Sequence, residues 1–95
     1  MIKSFQLGSK KYRVKVVNSI SDDILGQMSS PVGLVELSEN WSGKKLTEVQ
    51  MKSTLYHEMI HACLHEMCRF DLSSDETFVN VLAGFVEQFE MSKKS

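Results

Sequence analysis

Apolar and polar residues alternate from Ser4 to Leu7 and again from Tyr12 to Val17, with Gly8-Ser9 between them. That pattern predicts two strands joined by a hairpin turn. From Asn18 to Ser30 the residues are mixed, with Gly26 and several Ser and Asp, and predict a loop with a short turn of helix. After the single proline, Val32 to Leu37 predicts a third strand and Asn40 to Lys45 a polar loop. Thr47 with Gln50 fits a capping box, and the apolar spacing then runs helical to about Phe70. Ser73 with Glu76 fits a second box. Behind it, Phe78, Val79, Leu82, Phe85, Val86 and Phe89 give a wide apolar face. The order β-β-β-α-α predicts an α+β fold in one domain over residues 1–95: a small antiparallel or mixed sheet of about three strands, then two packed helices.

Composition narrows the function classes. A length of 95 residues suits one domain and is too short for two. The formal net charge of -1 argues against a nucleic-acid partner held by electrostatics. No apolar run approaches the ~18 residues of a membrane span, and Met1-Ile2-Lys3-Ser4-Phe5 lacks the apolar stretch of a signal peptide. Cys63 and Cys68, five residues apart on one predicted helix, diverge too far for a disulfide. The expectation is a cytoplasmic, reduced protein.

The chemistry concentrates in Thr54-Leu55-Tyr56-His57-Glu58-Met59-Ile60-His61-Ala62. It holds H-E-x-x-H within a predicted helix. Four residues advance a helix by about 400°, so His57 and His61 share a face, roughly 6 Å apart along the axis. Two imidazoles so placed suit one zinc ion, with Glu58 beside the open coordination position. A zinc ion there lowers the pKa of water towards ~7, and Glu58 is the expected general base.

A hydrolytic zinc site needs a third protein ligand. His65 is one more turn along, but it stands about 12 Å from His57 on the axis of a straight helix and cannot reach the same ion. It is expected to line the cleft or to be a partly exposed helix residue. Cys68 is equally remote. Glu76 opens the second helix, which must double back after a short link; it fits a metal ligand, and it also fits a helix cap. Asp75 is the rival one residue away. Of the rest, Cys63 and Tyr56 are expected to pack, and Trp41 to anchor the core rather than touch substrate.

The stretch His57-Glu58-Met59-Ile60-His61 after Thr54-Leu55-Tyr56, followed by Glu76-Thr77-Phe78-Val79-Asn80-Val81-Leu82-Ala83, resembles the small ImmA/IrrE-like metallopeptidases of bacteria and phages, which are gluzincins. In that family the third zinc ligand is a glutamate opening the next helix, followed by small or apolar residues three, six and seven places on, here Val79, Leu82 and Ala83. The resemblance therefore implies Glu76 as ligand. Asp22-Asp23-Ile24-Leu25-Gly26 and the strand Val32 to Leu37 also look like the family's lead-in, where the strand flanks the substrate cleft. His-Glu-Met-Ile-His-Ala is equally similar to SprT-like proteases, whose third ligand is a more distant histidine, and no histidine follows His65 here. The expected function is a zinc metallopeptidase with a protein or peptide substrate, its zinc held by His57, His61 and Glu76. The alternative is a non-catalytic module of the same fold that binds a protein partner. Neither a membrane nor a nucleic acid is an expected partner, and the oligomeric state stays open.

Overall fold

The predicted hairpin forms in the computed structural model, which describes residues 1–21 and 23–94. Strand β1 (Ser4–Leu7) pairs antiparallel with β2 (Lys10–Val17). Two further strands follow, β3 (Gly26–Ser29) and β4 (Leu34–Ser38). Strand β4 lies parallel to β2 and antiparallel to β3, so the sheet order is β1-β2-β4-β3. The chain thus passes beyond the future position of β4, lays down β3, and turns back to fill the gap. Asp22, part of the expected lead-in, lies outside the described residues.

Three expectations of the strand region change. The stretch from Asn18 to Ser30 contains β3 rather than a turn of helix. Gly26-Gln27-Met28-Ser29 has one apolar residue and no legible period, and becomes a strand because Met28 packs on the sheet core and the backbone pairs with β4. The segment from Asn40 to Lys45 is a miniature hairpin, β5 (Asn40–Trp41) with β6 (Lys44–Lys45). Ser42 and Gly43 turn it with φ of 51° and 78°, the left-handed pair that a two-residue hairpin favours. Trp41 at its tip is 46% exposed and anchors no core.

Helix α1 (Glu48–Glu66) starts at the predicted capping box: the Thr47 N–H donates to Gln50 Oε1 at 2.8 Å, and the Gln50 N–H to Thr47 Oγ1 at 3.2 Å. It ends earlier than its apolar spacing suggests. Cys68 turns left-handed, at φ 58°. The Cys68 N–H then donates to His65 O at 3.0 Å and the Arg69 N–H to Leu64 O at 2.8 Å, the two bonds of a Schellman stop. A short helix α2 (Phe70–Ser73) leads to α3 (Glu76–Ser92). The cap of α3 is Asp75, whose Oδ1 accepts from the Phe78 N–H at 3.1 Å. The expected Ser73–Glu76 capping box is absent; Ser73 is buried instead. No helix among the described residues is long and apolar enough to cross a membrane.

The fold is therefore α+β, a mixed sheet with helices packed on it. Two apolar clusters hold the layers together. Tyr12, Val35 and Leu37 on the sheet meet Leu55 and Ala62 of α1. Ile60 and Leu64, on another side of α1, meet Val79 and Ala83 of α3. At its far end α1 is tied to the sheet by the buried Tyr12, whose hydroxyl donates to Glu66 Oε2 at 2.6 Å.

The stop at Cys68 makes a stability prediction. A non-glycine residue in the left-handed region costs roughly 1–2 kcal/mol, and glycine is the usual occupant of that place in a Schellman motif. Cys68 is exposed, so nothing else is lost on removing its side chain. Cys68→Gly should stabilise the protein by about 1 kcal/mol, a rise in melting temperature of roughly 4–8 °C for a domain of this size. An unchanged or lower melting temperature refutes this account of the helix end.

Candidate metal centre

Helix α1 is divided lengthwise. One stripe faces the sheet through Leu55 and Ala62, and another faces α3 through Ile60 and Leu64. Between them, His57 and His61, four residues apart, point into an open groove. Helix α3 runs antiparallel to α1: Ser53 Oγ donates to Glu87 Oε2 at 2.6 Å near one end, while Glu76 meets His57 and His61 near the other. The helix start that the short link produces is thereby set opposite the two imidazoles.

The three side chains close a triangle in which the Glu76 carboxylate turns one oxygen to each imidazole. His57 Nε2 and His61 Nε2 are 3.2 Å apart. Glu76 Oε2 is 3.3 Å from the first and Glu76 Oε1 3.3 Å from the second. A tetrahedral zinc ion with bonds of about 2.0–2.1 Å sets neighbouring ligands roughly 3.3 Å apart. The N,N,O donor set suits that ion, and one ligand atom from each of the three residues lies within 4.8 Å of the other two. Among the described residues these three make up the group of metal-ligating side chains that could hold an ion. Asp75 stands outside it, occupied as the cap of α3. His65 also stands outside it and packs edge-on against Phe70, ring centroids 5.1 Å apart. Cys63 is half-buried and Cys68 exposed, both as free thiols.

Burial tunes the groups around the triangle. Glu58 lies on the side of α1 that slides under the sheet edge and is only 8% exposed. Loss of water pushes its carboxyl up to about 7, and the nearby charge of Glu76 adds to the effect. Burial, with the neighbouring His57 second, holds His61 below the ordinary histidine range, which keeps the ring neutral as a ligand requires. His61 Nδ1 lies 2.9 Å from Ser73 Oγ. With Nε2 turned to the triangle, Nδ1–H donates to that hydroxyl and fixes tautomer and ring orientation. Ser73, read from the sequence as a cap, is in fact this support.

Two more residues of the groove fall in stretches the sequence reading quoted but were given no individual role there. Asn80, one turn after Glu76, borders it from α3. Gly26 on β3 borders it from the sheet. A Cβ at Gly26 would lie 2.5 Å from Thr54 Cγ2, 3.2 Å from Glu36 O and 3.4 Å from Glu58 Cγ. Only a residue without a side chain lets β3 lie this close to α1. Thr54 cannot readily give way, because it is β-branched and its Oγ1 donates to Gln50 O at 3.2 Å.

Gly26→Ala should therefore destabilise the fold by about 1–3 kcal/mol through overpacking. Thr54→Ser, which removes Cγ2, should recover part of that loss in the double variant. Urea unfolding midpoints of the four proteins decide it. Equal stability of Gly26→Ala and the parent, or strict additivity of the pair, contradicts the close approach.

No family model, curated protein or solved structure matches this chain. The functional reading accordingly rests on the geometry of the triangle and its surroundings.

Proposed function

We propose that the chain is a zinc-dependent metallopeptidase of the ImmA/IrrE-like, gluzincin type, with His57, His61 and Glu76 as ligands and Glu58 as general base. The observation that carries this reading is the convergence of two imidazole nitrogens 3.2 Å apart and one carboxylate whose two oxygens each lie 3.3 Å from one of them, beside a buried carboxylate outside the triangle. Zinc, when bound, polarises a peptide carbonyl and activates water for attack on it. Glu58 takes the proton at its carboxylate and passes it to the leaving amine. Ser73 holds the His61 ring, and Gly26 keeps the sheet edge low over the groove.

The substrate strand has a place on β3. The Ser38 N–H donates to Leu25 O at 2.8 Å. Alternation along an antiparallel pair then turns the N–H and C=O of Gly26 and Met28 outward, at the open edge. An extended peptide pairing there passes directly over the triangle. This differs from the sequence expectation, which gave the flanking role to the strand of Val32 to Leu37; that strand, β4, is interior to the sheet with β2 and β3 on its two sides.

The second reading, a non-catalytic module that binds a protein partner, draws on the exposed row Phe78, Val81, Phe85 and Phe89 along α3. Against it stands Glu58, for which a purely structural metal site has no use.

The purified protein should bind about one zinc per chain, and His57→Ala or His61→Ala should each abolish binding. Glu76→Gln should weaken it far more than Asp75→Asn does, and chelation should lower the melting temperature. Stoichiometric zinc in the two histidine variants would exclude the site.

Glu58→Gln should retain the zinc and lose hydrolysis of an unfolded-protein mixture by a factor of at least ~10². Equal turnover by parent and variant points to a contaminating protease. Absence of turnover in the zinc-loaded parent decides for the binding module.

A further inference from the structure

The groove extends to both sides of the ligand triangle, and its two hollows share Ile24, Gly26, Glu58 and His61. Their far ends differ in chemistry. One is bordered by Asp23, Ser53, Thr54 and Asn80. The other, about 520 Å³, is walled by Ile24, Met28, His65 and Phe70, a volume in the range of small-ligand clefts. Ile24 and Phe70 are 39% and 57% exposed.

Three of the polar side chains bordering this second hollow already have partners. Ser73 Oγ lies 2.9 Å from His61 Nδ1. Ser74 Oγ donates to Phe70 O at 3.1 Å and to Asp71 O at 3.0 Å. The Gln27 amide donates to Glu36 Oε1 at 2.8 Å. Away from Glu58 and His61 at its inner end, the hollow offers a ligand mainly hydrocarbon and the His65–Phe70 aromatic pair, held edge to face. The hollow begins at His61 and Glu58 and lies along the outward-facing backbone of Met28, so a peptide paired on β3 would have a side chain beside the triangle within reach of it.

We infer that this hollow is a specificity subsite that takes a bulky apolar side chain, aromatic or long aliphatic, from a residue flanking the scissile bond of an extended peptide. The inference rests on the peptidase reading. It adds the substrate class: segments with a large apolar residue, exposed in unfolded or extended chain, in preference to small or acidic ones. Phe70 supplies the outer wall and is the residue on which selectivity depends.

The test uses capped polyalanine heptapeptides with a central phenylalanine, leucine or aspartate, and the all-alanine peptide as reference. With zinc-loaded parent protein, kcat/KM for the phenylalanine and leucine peptides should exceed that for the all-alanine peptide by at least ~10-fold, with cleavage next to the central residue. Phe70→Ala should bring that ratio towards unity, and Phe70→Leu should keep most of it. Binding is read separately by NMR titration of zinc-loaded Glu58→Gln. The phenylalanine peptide should shift the side-chain signals of Ile24, Met28, His65 and Phe70, and the all-alanine peptide should leave those of His65 and Phe70 unmoved. Cleavage without apolar preference, or a preference that Phe70→Ala leaves intact, overturns the subsite and spares the peptidase reading. No cleavage by the parent, with the phenylalanine peptide still shifting those signals, overturns the peptidase reading and supports the hollow as a side-chain binding site. Shifts confined to other residues overturn the subsite.

Discussion

Helix α1 is gripped on two sides, and the arrangement of the groove depends on that grip. Leu55 and Ala62 seat it on the sheet while Ile60 and Leu64 seat it against Val79 and Ala83 of α3. A helix held on one side alone is free to roll. Held on two, it has a fixed azimuth, and the uncovered strip carrying His57 and His61 faces one direction. The apolar contacts also set the height of α3, with Ala83 permitting close approach, so the first turn of α3 delivers Glu76 to within 3.3 Å of both imidazoles. Hydrophobic packing places the polar triangle; the polar atoms themselves hold little of the fold.

The polar groups near the site divide into those turned to the triangle and those that hold something else still. Ser73 Oγ at 2.9 Å from His61 Nδ1 fixes a ring. Asp75 is spent on the first turn of α3. Tyr12 and Glu66, joined at 2.6 Å, pin the end of α1 to β2, with Lys10 close by at 3.7 Å from Glu66. Burial and the bond to Glu66 raise the Tyr12 pKa, so its hydroxyl remains a donor across the neutral range. Glu58 differs from all of these. It is buried, turned to the groove, and lies on the helix face between the sheet and the open strip.

Strand β3 decides what the groove can receive. As an edge strand it leaves outward-facing N–H and C=O groups, normally a liability in a sheet. Its closeness to α1, permitted by Gly26, makes that edge one wall of the open groove instead. The same strand contributes Met28 to the apolar hollow and, through the preceding Ile24, to both ends of the groove. A peptide bound there would complete the sheet on its open side and cover Ile24 and Phe70 together.

The sequence by itself determined whatever depends on residues within about one helical turn or one hairpin of each other. The β1–β2 turn at Gly8-Ser9, the Thr47–Gln50 cap and the shared face of His57 and His61 are all of this kind, because local dihedrals and the 3.6-residue period dictate them. The α+β class followed from the change of period along the chain. Tertiary structure decided the rest. Gly26 to Ser29 became a strand because β4 and α1 were there to pair and pack with it, and no periodicity in four such residues signals that. Gly26 itself read as a loop residue, although it serves a close approach of β3 to α1. The difference between Asp75 and Glu76 could not come from two adjacent acids at a helix start; it came from which carboxylate the α1–α3 packing set against the imidazoles. Ser73 had no legible signal, since a hydroxyl supporting a histidine twelve residues away obeys no fixed spacing. Phe70 was read as the end of a helix, yet Cys68 stops that helix first, and the turn it makes carries Phe70 round to the mouth of the groove. Contacts between distant segments depend on which faces meet, and that is settled only when the layers pack.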